Sequence, residues 1–155
     1  MTDQQPQQQA VPVFNIEKIY VKDLSVEVPN APAIFLERDQ PQMELQINTQ
    51  STQVEDGIYQ CVLSITISAK IKDKAAFMVE LQQAGIFRIQ NVPAEAMEPA
   101  LAVGCPNIIF PYAREAVSDA VIKAGFPPLI LQPVNFEALY MQQQQQQAKA
   151  AGQPN

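Results

Sequence analysis

The sequence has 155 residues, of which 47% are hydrophobic and only 17% charged, and its 16 acidic and 10 basic side chains give a formal net charge of −6. A chain of this length fits one domain with a core of its own. The negative charge argues against nucleic-acid binding and against insertion into an anionic membrane, where a basic patch would supply the attraction.

The low charged fraction, against roughly 25% in an average soluble domain, leaves two interpretations open. The chain is either a core-rich small domain or one that keeps apolar surface for partners. The N-terminus has no signal-peptide pattern, and no apolar run approaches the length of a membrane span, so we expect a cytoplasmic protein.

Known catalytic and cofactor motifs are missing from the sequence. The absence of histidine removes the common nucleophilic triads and the commonest zinc ligand. Cys61 and Cys105 form no metal or disulfide pattern, and the five dispersed glycines form no phosphate-binding loop. We therefore expect no metal and no cofactor, although scattered carboxylates leave a small acid–base enzyme open.

Both ends of the chain are rich in glutamine with proline or alanine. Such composition buries too little apolar area to offset the entropy of ordering. We therefore predict a disordered tail over 1–12, a domain over 13–141 and a mostly disordered tail over 142–155. Helix propensity allows Gln142–Gln147 to extend a preceding helix by one or two turns.

The first predicted strand, Val13–Val28, has an apolar phase and a polar phase. Lys18 and Lys22 interrupt the apolar phase, a pattern that indicates a bulge or an exposed edge. The apolar phase consists of Phe14, Ile16, Tyr20, Leu24, Val26 and Val28. The polar phase ends in Asp23, Ser25 and Glu27, which predicts a solvated face.

Three more strands are predicted over Gln42–Asn48, Ile58–Ile71 and Ala75–Ile89. If the odd-numbered apolar residues of the last two share a face, their hairpin loop must contain an odd number of residues. We therefore predict a loop of Lys72, Asp73 and Lys74.

The period then changes to a helical one. A short helix is predicted over Pro93–Cys105 and a better one over Ile108–Ala124, stopped by Gly125. Three prolines hold 126–133 extended as a crossover segment, and Asn135 is predicted to cap a last helix that starts at Phe136. The order of elements predicts an α+β fold, a four-stranded antiparallel sheet followed by C-terminal helices on one side.

Six short motifs in order along the chain resemble the SecB protein-export family. They are YVKD at 20–23, PNAP at 29–32, QQAGIF at 82–87, GCPNIIFPYARE at 104–115, FP at 126–127 and PVNF at 133–136. The resemblance runs from about Val13 to Tyr140. It implies the same fold assembled as a dimer of dimers, and an ATP-independent chaperone that holds unfolded precursor proteins for delivery to the SecA translocation motor.

The resemblance also implies roles for particular residues. It places the SecA-binding surface on Asp23, Glu27, Met78 and Glu80. It links to subunit assembly Val79, Leu81, Gln83, Tyr112, Ala116, Val117 and Ala120. The candidates for an apolar client groove on the second strand, the crossover and the last helix are Met43, Leu45, Phe77, Phe126, Leu129, Leu131, Phe136, Leu139 and Tyr140.

Simpler interpretations stay open for each set. The acidic residues would also suit an ordinary solvated sheet face, and the apolar ones an ordinary core. Two other functions remain as alternatives: a SecB-like chaperone dedicated to a toxin–antitoxin pair, and the small carboxylate enzyme. The acidic tail residues that relatives often carry are missing beyond Glu137, so the tail lacks the charges that would support a contact with the motor.

Overall fold

The computed structural model describes residues 10–152, so the first nine residues of the predicted N-terminal tail lie outside the described part. Its centre is one antiparallel sheet of four strands: β1 (Val13–Glu27), β2 (Gln42–Glu55), β3 (Ile58–Ile71) and β4 (Lys74–Gln90). The spatial order is β1-β4-β3-β2, which places the first two strands of the sequence at the two edges.

Two bulges interrupt the pairing of β1 with β4. The register shifts between Ile16 and Lys18 and again between Val21 and Asp23. The first shift leaves Glu17 as the extra residue and the second leaves Lys22. Residues before the first shift and after the second, such as Ile16 and Leu24, therefore face the helices, whereas Tyr20 between the shifts faces the other side. The sequence prediction of a bulge or an edge strand at Lys18 and Lys22 is confirmed in both respects.

Strand β2 is longer than its alternating pattern predicted. It continues past Asn48 to Glu55, because β3 offers a paired partner along its whole length, from Thr49 opposite Leu63 to Glu55 opposite Ile58. The continuation is polar and exposed, so the hydrophobic pattern carried no signal for it.

The β3–β4 hairpin corrects the predicted loop. Only Lys72 and Asp73 lie between the strands, both with positive φ, as a two-residue hairpin turn requires. The shared apolar face is nevertheless present, since Ile67 lies opposite Val79. A bulge at Ala76 adds one residue to β4 and restores the parity that the loop lacks.

The two predicted middle helices form one continuous helical run. Helix α1 (Ala94–Pro99) passes through a π-helical segment (Ala100–Gly104) into α2 (Cys105–Lys123), and the joining residues keep right-handed helical angles. The predicted division into two helices with a gap at 106–107 was wrong, and the run continues through the helix breakers Pro99 and Gly104. Packing of this run against the sheet outweighs the cost of its helix breakers, and the π segment absorbs the irregularity.

Helix α3 (Phe136–Ala151) also exceeds its prediction. It continues through Gln142–Gln147 to Ala151, in a segment predicted as mostly disordered. Glutamine and alanine both favour helix, and nothing breaks the helix before Gly152. Every residue described beyond Tyr140 is exposed, so local propensity and not packing supports this stretch.

The helices cover one face of the sheet, where α2 lies across β3 and β4. The core lies between them and includes Leu63, Ile65, Phe77, Leu81, Ile109 and Val117. A single turn of 3-10 helix, Ala33–Leu36, joins β1 to β2 and buries Ile34. The α+β architecture predicted from the sequence is confirmed.

Candidate functional site: two faces of one sheet

The uncovered face of the sheet carries the acidic residues. Residues opposite each other on neighbouring strands point to the same side. On this rule Asp23 shares its face with Gln82, Glu27 shares its face with Met78, and Glu80 lies on the rung between them. The three carboxylates are exposed, and none takes part in an ion pair among residues 10–152.

The four residues expected to bind SecA are therefore brought together on neighbouring rungs of β1 and β4. The same rung continues across the sheet from Glu27 through Met78 and Ser68 to Glu44 on β2. Glu44 was missed as part of this surface. Its position in the polar phase of Gln42–Asn48 was the signal that could have found it.

The helix-covered face is open along its β2 edge. Met43 and Leu45 lie in register with Ala69 and Ile67 of the buried β3, yet they remain 44% and 47% exposed. The reason is geometric: α2 packs on the two central strands and leaves the edge strand uncovered. Apolar surface therefore remains in contact with water at this edge.

The crossover segment between α2 and α3 packs on the rung of the sheet that leads to this edge, from Phe77 through Ala69 to Met43. Gly125 turns the chain with φ of +95°, and Phe126 then packs against Phe77, with ring centroids 4.8 Å apart. Further along, Arg114 Nε donates a 3.0 Å hydrogen bond to the Leu131 carbonyl oxygen. The crossover is thus fixed to α2 at one point and to the sheet at another.

The start of α3 completes the apolar surface. The Asn135 side chain accepts a 2.9 Å hydrogen bond from the Ala138 amide, as predicted for an N-cap. Phe136 is buried against Phe110, with ring centroids 5.8 Å apart. Tyr140 borders a cavity of about 420 Å³ between α3, α1 and β2.

The predicted groove residues divide by exposure and by place. Phe77, Leu131 and Phe136 are buried and support the surface from below. Phe77 and Phe126 are brought together at the crossover, whereas Phe136, Leu139 and Tyr140 are brought together beside Ile47 of β2. The residues accessible to a ligand are Met43, Leu45, Phe126, Leu129, Leu139 and Tyr140.

Three accessible apolar residues were missed by the sequence interpretation. Phe35 and Leu36 of the 3-10 turn are 47% and 83% exposed, and Ile130 of the crossover is exposed as well. The apolar run Ile34–Leu36 between a proline and a charged stretch was the available signal. Phe35 packs on Phe126 with ring centroids 5.2 Å apart, which places it at the same surface.

The residues expected in assembly also divide. Val79, Leu81, Val117 and Ala120 are buried within the single chain, and Ala116 is half-buried. Tyr112 is 50% exposed. Gln83 is only 3% exposed; its Nε2 donates a 3.1 Å hydrogen bond to the Tyr20 carbonyl oxygen, while its Oε1 has no hydrogen-bond partner among residues 10–152.

The two cysteines are buried in the core between β3 and α2. Burial raises the pKa of both thiols from 9.0 to about 12. The stability that this preference for the neutral thiol contributes is present below about pH 9 and is lost as the pH rises towards 12. Both thiols are therefore protonated, unreactive core groups at neutral pH.

Within residues 10–152 the structure has no cluster of His, Cys, Asp or Glu side chains that could hold a metal ion. In the same part of the chain, no helix combines the length and the apolar composition needed to cross a membrane.

Comparison with known proteins gives consistent results. The sequence profile of the family described as preprotein translocase subunit SecB matches residues 7–147. The protein-export protein SecB of Dechloromonas aromatica is 66% identical, over 93% of this chain and 95% of its own. That of Thiobacillus denitrificans is 62% identical, over 91% and 93% of the two chains.

A solved structure shares the fold. It is a SecB-like chaperone of Mycobacterium tuberculosis in complex with a peptide from an antitoxin, 18% identical to this chain, with a TM-score of 0.62. It covers 78% of this chain and 90% of its own. With the profile match and relatives above 60% identity along nearly the whole length, the chain belongs to the SecB family of protein-export chaperones.

Proposed function

We propose that this chain is a cytoplasmic, ATP-independent chaperone that binds unfolded precursor proteins, keeps them competent for export and delivers them to the SecA motor. The observation that carries the proposal is one sheet with two different open surfaces. One is an acidic face, and the other is an apolar edge bordered by the crossover and α3. Two such surfaces suit a protein that holds one partner and hands it to another.

The apolar surface suits a client without a fixed structure. Met43, Leu45 and Leu139 offer flexible side chains, and Phe126 and Tyr140 offer aromatic ones, a mixture that accepts many sequences. A chaperone that binds the unfolded state and not the native one draws population away from folding by mass action. No nucleotide is required for this kind of holding.

The acidic face suits a basic segment of the motor. Asp23, Glu27 and Glu80 set the sign of the potential, and Met78 offers an apolar contact among them. Charges of this kind mainly set orientation and the rate of association. The presence of this acidic face favours a role in general export over a chaperone dedicated to a toxin–antitoxin pair. The relatives above 60% identity are also named protein-export proteins.

We further propose that four chains assemble as a dimer of dimers. Tyr112 and the exposed apolar residues Leu24 and Val26 of β1 offer surface for subunit contact. Repeating the client surface four times lets a long unfolded chain occupy several weak sites at once. Avidity then holds the client while each segment can still release for handover.

Light scattering tests holding and assembly together. The purified protein is measured alone and then with an exported precursor, offered unfolded and in its folded form. We expect a mass near four times 17.2 kDa and a stable complex with the unfolded form alone. A monomer that ignores unfolded chains would contradict the proposed function.

Charge removal tests the role of the acidic face. Asp23→Asn combined with Glu80→Gln should weaken SecA binding by up to about thirtyfold, because each exposed charge contributes up to about 1 kcal/mol. Client binding should stay unchanged. The matched control is Glu95→Gln, an exposed carboxylate on α1. Equal SecA affinity for all three proteins would remove the acidic face from the proposal.

A further inference from the structure

The aromatic surface of the crossover is already covered by a side chain of the same protein. The Phe35 ring packs on Phe126, which packs in turn on the buried Phe77. A Cβ added to Gly125 would stand 2.9 Å from Phe35 Cε1, so the ring lies flush against the glycine backbone. These contacts form one binding site for an aromatic ring, here named the seat. It consists of the face of Phe126, the backbone of Gly125 and the buried Phe77 ring on which Phe126 packs.

The segment that carries Phe35 is anchored on either side of it. Ile34 is buried, and its amide donates a 2.9 Å hydrogen bond to the Asn30 carbonyl oxygen. Asn30 Nδ2 donates a 2.9 Å bond to the Ala75 carbonyl oxygen, and Lys72 forms an ion pair with Glu37. Rotation of Phe35 about its side-chain bonds therefore requires no movement of this anchored backbone.

The seat holds Phe35 only in part. Its side chain remains 47% exposed, which leaves much of its burial energy unrealised. An aromatic side chain on an extended client could occupy the same seat and be covered by the client itself. The contact between Phe35 and Phe126 is thus weak enough to be exchanged.

We propose that Phe35 is an intramolecular plug of an aromatic client subsite. Without a client its ring occupies the seat on Phe126 and Gly125. When an unfolded chain presents an aromatic side chain, the Phe35 ring rotates out and the client ring replaces it. The plug covers apolar surface in the free chaperone. A client binds only those molecules whose seat is open, so the apparent affinity is the intrinsic affinity multiplied by the open fraction. This inference rests on the proposed binding of unfolded clients.

Phe35→Ala separates a plug from a client contact. The probe is a short fluorescent peptide of Ser and Lys with one central Phe, titrated by anisotropy against wild type and variant. A plug predicts about three- to tenfold tighter binding to the variant, the range in which one aromatic pair contributes. A peptide with Ala at its centre should bind wild type and variant equally.

Val54→Ala is the matched control, since Val54 is an apolar side chain of β2 at 60% exposure, eleven residues along the strand from Met43. It should leave both titrations unchanged. Weaker or equal binding of the Phe peptide to Phe35→Ala overturns the plug. If wild type also fails to bind an unfolded precursor, the proposed function falls with it; if wild type binds the precursor, the plug alone falls.

A second variant keeps the test valid if Phe35→Ala disturbs the fold. The sequence contains no tryptophan, so Phe35→Trp introduces a single reporter. Displacement of the ring by a client predicts a red shift of its emission and stronger quenching by acrylamide. A blue shift with weaker quenching would show that the side chain is buried by the client, which overturns the plug.

Discussion

At the scale of single residues, two positions restrict which side chains they accept. Gly125 adopts φ of +95° and lies against the Phe35 ring. A side chain there meets two obstacles, since left-handed backbone is costly for other residues and the space is filled.

Gly125→Ala should therefore destabilise the chain by about 1–3 kcal/mol, from backbone strain and from displacement of Phe35. Urea unfolding followed by circular dichroism measures the effect. Gly104→Ala is the control, because Gly104 is helical and the nearest atom to an added Cβ is Phe14 Cζ at 3.9 Å. That change should stabilise by about 0.5–1 kcal/mol. If both substitutions lowered the free energy of unfolding, or both raised it, the different backbone requirements assigned to Gly125 and Gly104 would be contradicted.

Gln83 is the second such position, because it is buried, its amide nitrogen donates one hydrogen bond, and its side-chain oxygen has no partner in the described part of the chain. Gln83→Glu should cost about 3 kcal/mol near neutral pH, where the new carboxylate would be buried without a donor. Burial raises the pKa of such a carboxyl above its unfolded value of about 4.3, so the loss is small below that pH and grows as the pH rises.

Urea titrations at about pH 4 and about pH 7 test this sign. Gln82→Glu serves as the control, since Gln82 is the exposed neighbour on the opposite face. An equal loss at both pH values would show that shape and not charge decides the outcome.

At the scale of elements, α3 is anchored at its start. Phe136 is its one buried residue, and its first turn depends on the Asn135 cap. Asn135→Ala should remove about 1 kcal/mol from the helix and raise amide exchange across its first turns about fivefold. Exchange in β3 should not change. Hydrogen exchange followed by mass spectrometry gives both values, with the exposed Gln132→Ala as control. Uniform loss of protection would show that α3 unfolds only with the whole domain.

The elements also show what local sequence can predict. The bounds of β3 and the cap at Asn135 were predicted to the residue, because alternation and capping are local properties. The hairpin loop was wrong because the bulge at Ala76 depends on pairing, and the helix break was wrong because packing on the sheet holds the run together. Alternation also gave Leu45 and Phe77 the same apolar role. Their exposure differs because α2 covers β4 and not β2, a fact of tertiary structure.

At the scale of the whole molecule, the residues linked to assembly have two kinds of role. Val79, Leu81 and Val117 belong to the core of one chain, so changes there affect fold and assembly together. Tyr112 is half exposed and separates the two effects.

Tyr112→Ala should lower the mass measured by light scattering at low protein concentration and leave the far-ultraviolet spectrum unchanged, since little core packing is lost. Ile122→Ala, which truncates another half-exposed residue of α2 about three turns away, is the control and should keep the wild-type mass. If both variants keep that mass at every concentration, Tyr112 has no part in assembly.

The strand order determines when each strand can pair during synthesis of the chain. Among the four strands described, β1 leaves the ribosome first, yet it pairs with β4, which is complete at Gln90. At about 5–20 residues per second, β1 waits roughly 4–15 seconds for that partner, with Phe14, Leu24 and Val26 unpaired. During its synthesis, this chaperone is itself an unfolded chain of the kind that it is proposed to bind. Folded molecules of the same protein are therefore suited to bind the nascent chain until β4 is complete.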